Sequence, residues 1–224
     1  MSPARSLAAA YSRHRYAVLF YTLLVTLGAA PMLAALQFST DLLQILLAFS
    51  LLTALLGVPD QRWRWLLIVF AAIAVALRAA PTVAVGSGLA AGALAVACAI
   101  ALLAAVSALR FAMRTATVDA EHIYAALSVY LFVGLLFGVV HWRMEQTWPG
   151  SLTDAGSRAA GAAFPLSTAI YYSFVTLATL GYGDIVPRTE VARGVTVLEA
   201  IGGQLYVAVL VAKLVGARVP ATPR

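Results

Sequence analysis

YYSFVTLATLGYGDIVP, residues 171–187, is the stretch on which the reading of this chain turns. Its core is Thr179-Leu180-Gly181-Tyr182-Gly183-Asp184. Gly181 and Gly183 alternate with bulkier residues, and glycine enters positive φ without a Cβ clash. The segment before it, 165–178, is apolar but too short to cross a bilayer. The segment after it, about 191–216, is long enough, since roughly 20 apolar residues span the hydrocarbon. A glycine-punctuated loop at that depth leaves its backbone unpaired, so it persists only where it is buried in protein or lines a cavity. The spacing therefore predicts a re-entrant element: a short helix from Thr168 to Ala178 with Ser167 as N-cap, then a non-helical loop.

Composition sets the frame. The 224 residues are 62% hydrophobic and 11% charged, with a mean hydropathy of +0.92, which points to a polytopic membrane protein rather than a soluble domain. The net charge of +6 does not imply a nucleic-acid partner, because the basic residues lie in short loops beside apolar runs. The single cysteine, Cys98, sits inside an apolar run and reads as a small hydrophobe. No metal-ligand cluster, phosphate loop or catalytic triad spacing is present. His14, His122 and His141 are isolated from one another in sequence. No small-molecule substrate is implied.

Six long apolar segments can be drawn: about 16–36 (with Pro31 kinking it), 41–57, 63–80 (opened by the interfacial Trp63 and Trp65), 82–110, 122–142 and 191–216. The first continues past Gly28-Ala-Ala30 and reads as a retained helix rather than a cleaved signal. With the N-terminus cytoplasmic, ten of the fifteen Lys and Arg residues fall inside: Arg5, Arg13, Arg15, Arg62, Arg64, Arg110, Arg114, Lys213, Arg218 and Arg224. Arg78, Arg143, Arg158, Arg188 and Arg193 fall outside or near the outer interface. That bias puts both termini in the cytoplasm and the 179–184 loop on the outer side.

The run Thr179–Asp184 between membrane-length segments resembles the pore signature of potassium channels, in which four such loops line a filter with backbone carbonyl oxygens. The resemblance is tight over 165–216, moderate over 122–164 and architectural over 1–121. It implies an all-α membrane protein with six transmembrane helices, a pore helix and a filter loop. It also implies a homotetramer embedded in membrane lipid, since one loop per chain cannot enclose an ion. Filter-bound K+ would be coordinated by Thr179, Leu180, Gly181, Tyr182 and Gly183. Tyr182 would point away from the pore as a spacer, and Asp184 would accept a hydrogen bond from Tyr172. Gly203 matches a hinge glycine of the inner helix. Helical spacing from there puts Gln204, Val207, Val211 and Val215 on one cavity-lining face.

The domain organisation that follows is an N-terminal segment 1–15, a four-helix sensor-like domain 16–114, a linker 115–121, a pore domain 122–216 and a tail 217–224. A voltage sensor needs several arginines at every third position, because each charge contributes only about 2.3 kcal/mol per 100 mV. Residues 86–109 contain no basic residue, and Arg110 and Arg114 both lie at the cytoplasmic end of the fourth segment. The expectation is a sensor-like arrangement without a strong sensor, and no cytoplasmic regulatory domain.

One residue stands apart from these patterns. Glu199 falls about eight residues into the last helix, roughly 12 Å along its axis at 1.5 Å per residue. An acid at that depth is a candidate functional residue, and the hydroxyls of Tyr171, Tyr172, Ser173 and Thr176 are within reach. Glu199 is therefore expected to hydrogen-bond the pore helix and support the filter. The leading reading is a prokaryotic-type, multi-pass inner-membrane channel, not an enzyme, passing potassium passively. The alternatives are a non-selective cation channel of the same fold and a non-conducting or transport-associated membrane subunit.

Overall fold

The structure, a computed structural model, describes residues 14–28, 32, 99, 102–103, 105–113, 119–154 and 164–217. The second and third apolar segments, most of the fourth, Cys98, Arg78, Arg114, positions 115–118 of the linker and the tail beyond 217 lie outside the described residues. The chain forms two units, Met1–Phe132 and Val133–Arg224.

In the first unit, residues 14–28 and 105–113 are helical. Small residues on the second stretch, Ala105, Ala108 and Ala112, are buried, as are Tyr16, Leu19 and Leu23 on the first. Aromatic rings fix one end. Tyr16 stacks on Phe111 at 4.6 Å, and Phe111 stacks on His122 at 4.4 Å. The Arg15 guanidinium lies 4.9 Å from the Tyr16 ring centroid, and Glu121 Oε2 accepts from the Tyr16 backbone N–H at 3.0 Å.

Helix α1, Ala120–Thr147, begins in this unit and continues into the second. Its start is capped by Asp119, whose Oδ1 accepts from the His122 backbone N–H at 3.1 Å and contacts its ring Nδ1 at 2.6 Å. Those bonds, led by the backbone one, hold the Asp119 carboxyl below the usual carboxylate range. At 28 residues, α1 is about 42 Å long and runs five residues past the expected end at 142. Hydropathy marks where the hydrocarbon ends, not where hydrogen bonding ends. Arg143, Glu145 and Gln146 extend the helix beyond the apolar run.

In the second unit, α1 is followed by strand β1 (Leu152–Asp154), helix α2 (Leu166–Leu177), strand β2 (Ile185–Pro187) and helix α3 (Glu190–Gly216). The strands pair antiparallel, Leu152 with Pro187, Thr153 with Val186 and Asp154 with Ile185. This pairing was not legible in the sequence, because three-residue strands carry no period. Glu145 organises the turn that feeds it: its carboxylate accepts from the Gly150 N–H at 2.7 Å and the Leu152 N–H at 2.8 Å. The core beneath consists of Met144, Leu152, Tyr172, Ile185 and Ala192.

Two of these helices, α1 and α3, are long and apolar enough to cross a membrane. The short apolar α2 starts earlier than expected. Its N-cap is Pro165, in extended conformation at φ −71° and ψ 152° and without a side-chain cap, so Ser167 lies inside the first turn. Proline supplies the fixed φ that a helix start needs and has no N–H to leave unpaired. Helix α3 starts conventionally: Thr189 Oγ1 accepts from the Ala192 N–H at 3.3 Å.

Candidate pore loop and its support

Helix α2 packs against α3 and closes onto α1 through glycines. A Cβ on Gly138 would lie 2.8 Å from Ile170 Cα, and one on Gly134 would overlap the Phe174 ring. Gly134 and Gly138, one helical turn apart, thus form the seat of α2 on α1. On the other side, a Cβ on Gly203 would lie 2.8 Å from the Leu177 carbonyl oxygen. Gly203, matched above to a hinge, is where the last residue of α2 rests on an unbroken α3.

The loop after α2 folds its amides back onto the helix end. Thr179 N–H donates to Thr176 O at 2.9 Å, Leu180 N–H to Val175 O at 2.9 Å, and Gly181 N–H to Val175 O at 3.4 Å. In a trans peptide the C=O points opposite to the N–H. The carbonyls of Ala178, Thr179 and Leu180 are therefore turned away from α2. The backbone then alternates. φ is +58° at Thr179, +56° at Gly181 and +78° at Gly183, while Leu180 and Tyr182 are not in that region. Positive φ at a β-branched threonine is a strained state, of order 1–3 kcal/mol. Sequence reasoning assigned the left-handed positions to the two glycines alone and missed the third.

The supports of the loop differ in part from expectation. Asp184 Oδ2 accepts from the Tyr171 hydroxyl at 2.8 Å, not from Tyr172. On a helix, adjacent residues point about 100° apart, and it is Tyr171 that faces the loop. Tyr172 faces the core instead. Thr196 Oγ1 gives its proton to Ala192 O at 2.8 Å, so the Tyr172 hydroxyl donates to Thr196 Oγ1, at 2.9 Å. Beyond the loop, Arg188 N–H donates to Ser151 O at 2.8 Å, and its Nε–H to Thr153 Oγ1 at 2.9 Å. Those bonds tie the exit of the loop to the β1 segment.

Glu199 is fully buried, as are His141 and Ser173. Glu199 Oε1 is hydrogen-bonded to Ser173 Oγ on α2, the contact expected from its depth. Its other oxygen, Oε2, lies 2.8 Å from His141 Nε2 on α1, and Ser173 Oγ is 2.7 Å from the Gly134 carbonyl oxygen. The His141 ring stands edge-on to Tyr172, centroids 4.9 Å apart. Sequence reasoning treated His141 as isolated. Its partner is 58 positions away, and only the packing of α1 on α3 joins them. The available signal was that both are ionisable residues inside apolar spans.

The remaining site residues lie on the open side of the unit. Leu180 and Tyr182 are exposed, and so are Gln204, Val207, Val211 and Val215. Gln204 Nε2 donates a long hydrogen bond of 3.4 Å to Thr179 Oγ1, which places its side chain at the base of the loop. Over the 27 residues of α3 only Ala192, Glu199 and Gly203 are buried. Val191, Val197, Leu198, Ile201, Leu205 and Val209 are exposed.

Residues 126–217 match a family model described as ion channel. The chain is 32% identical over 94 residues to Two pore potassium channel c of Oryza sativa subsp. japonica, an alignment covering 42% of this chain and 18% of that one. It is 30% identical over 108 residues to Protein LctB of Geobacillus stearothermophilus, covering 45% of this chain and 80% of that protein. The chain thus spans less than a fifth of the rice relative's length and most of the bacterial one's. No solved structure matches.

Proposed function

From a chain that belongs to the ion channel family, we propose a potassium-selective pore, built from four copies, that lets potassium run down its gradient across the membrane. The observation that carries this reading is the alternating backbone of the loop, with left-handed residues at 179, 181 and 183 and amides folded back on α2. Such a backbone can offer a column of carbonyl oxygens in place of a potassium hydration shell. The name of the rice relative supports potassium as the ion.

Assembly follows from what one chain lacks. A single loop presents oxygens from one side only. The exposed residues Leu180 and Tyr182, at 56% and 66%, need neighbours, and so does the apolar face of α3. In this reading Thr179 to Gly183 coordinate filter-bound K+, and Gln204, Val207, Val211 and Val215 line the inner cavity. Gly203 packs α3 against α2 while leaving the helix free to bend there. The chain then crosses the inner membrane six times with both termini cytoplasmic, and the absence of an arginine ladder leaves its opening weakly voltage-dependent.

The test is ion flux from purified protein in liposomes. Potassium and rubidium should enter, and sodium should be strongly disfavoured. Equal sodium and potassium flux would replace this reading with a non-selective cation pore. No flux under any gradient would replace it with a non-conducting subunit.

A further inference from the structure

One proton decides what the Ser173 hydroxyl can do. Its oxygen lies within hydrogen-bond distance of both the Gly134 carbonyl oxygen and Glu199 Oε1. A hydroxyl carries one donor hydrogen, and a carbonyl oxygen only accepts. With Glu199 as a carboxylate, three oxygens converge on a single hydrogen, and one close oxygen pair has none between them. With Glu199 as a neutral acid the count closes. Oε1–H donates to Ser173 Oγ, Ser173 O–H donates to the Gly134 carbonyl, and His141 Nε2–H donates to Glu199 Oε2.

The charge-separated arrangement holds the same number of protons but puts one on His141 Nδ1. That atom is buried and has no hydrogen-bond partner among the described residues. A charged N–H without an acceptor is the more damaging orphan, and a fully buried ion pair also forfeits its hydration. The other titratable group facing the cluster is Tyr172 of α2, which is committed to Thr196. On α3, Arg193 and Glu190 pair with each other at 2.8 Å.

We propose that the donor and acceptor geometry places a proton on Glu199 Oε1, and that the uncharged chain His141–Glu199–Ser173–Gly134 clamps α2 between α1 and α3. His141 and Glu199 are then positioning residues. Val175, two residues past Ser173, is the acceptor for the Leu180 and Gly181 amides, so a shift of Ser173 is passed to the loop. The positioning half of this inference rests on the channel reading, whereas the protonation half does not.

Infrared spectra of the full chain at neutral pH test the protonation whether or not the protein conducts. The wild type should show a carboxylic-acid C=O stretch that shifts in D2O and is missing from Glu199→Gln. A difference spectrum with carboxylate bands instead would overturn the proposal. Should Glu199→Gln fail to fold, His141→Gln serves: the band should move as the donor to Oε2 changes, and an absent or unmoved band refutes the assignment.

Flux tests the positioning. Glutamine puts an N–H donor where the acid has its O–H and keeps a C=O acceptor at the other end, so Glu199→Gln should conduct within about twofold of wild type. Glu199→Val and His141→Leu should lose about tenfold per assembled channel, by leaving buried partners unsatisfied. His141→Gln should recover most of that loss. Full flux in folded Glu199→Val, or loss in folded Glu199→Gln, would overturn the clamp. A wild type that shows the acid band yet passes no ion would sink the channel reading and leave the protonation assignment standing.

Discussion

The hydroxyl of Tyr171 donates a 2.8 Å hydrogen bond to Asp184 Oδ2, across 13 positions of sequence. One bond thereby joins the body of α2 to the residue that ends the loop. The neighbouring Tyr172 makes its bond to α3 instead, so the two tyrosines hold different things.

That division gives a first prediction. Tyr171→Phe should reduce potassium-over-sodium selectivity, or shorten the conducting state, by a few-fold, because Asp184 loses its donor. Tyr172→Phe should leave selectivity within error of wild type and lower thermal stability slightly. Bi-ionic flux and thermal melting of both variants check this, and equal selectivity losses would contradict it.

Gly181 and Gly183 hold φ of +56° and +78°, and a Cβ at either would meet nothing within 4 Å. Alanine there has no clash in the chain, but left-handed backbone costs an L-residue roughly 1–2 kcal/mol. Either Gly→Ala variant should therefore fold and assemble yet lose potassium conduction or selectivity. Unchanged flux would show that carbonyl direction at these positions does not matter.

The two glycines of α1 should differ. Gly138→Ala drives a methyl against the Ile170 backbone, which cannot move alone, and should cost about 1–3 kcal/mol. Gly134→Ala meets only the tip of the Phe174 ring, which can swing aside, and should cost less. Thermal melting in detergent ranks them.

A similar contrast holds on α3. Gly203→Ala would push the helix off the Leu177 carbonyl oxygen, 2.8 Å from the new Cβ, while Gly202 faces open space within the chain. Gly203→Ala should destabilise the fold and impair conduction. Gly202→Ala should be neutral or gain up to about 1 kcal/mol from helix propensity unless a neighbouring copy packs there. A stable, conducting Gly203→Ala would remove the packing role.

Voltage supplies the last prediction. Without basic residues over 86–109, the effective gating charge should fall far short of the roughly 12 charges of an arginine-ladder tetramer. Neutralising Arg110 and Arg114 should change insertion more than gating steepness. Current–voltage measurements decide between these outcomes.

The sequence by itself determined what is periodic or local. Apolar runs over 122–142 and 191–216 announced the spans of α1 and α3, and the Gly-Tyr-Gly spacing announced a backbone that glycine alone enters freely. The depth of Glu199 in an apolar run forced a polar partner upon it, since a bare acid there is too costly to leave unmet. The tertiary structure decided what depends on which faces meet. Tyr171 rather than Tyr172 reaches Asp184 because α2 turns only one of two adjacent side chains toward the loop. His141 meets Glu199 because α1 and α3 pack with both side chains at one level. Thr179 is strained because its amide and its neighbours' are drawn back to α2. None of these pairings is specified by the sequence pattern, because each is set by the relative rotation of helices, which composition and period leave free.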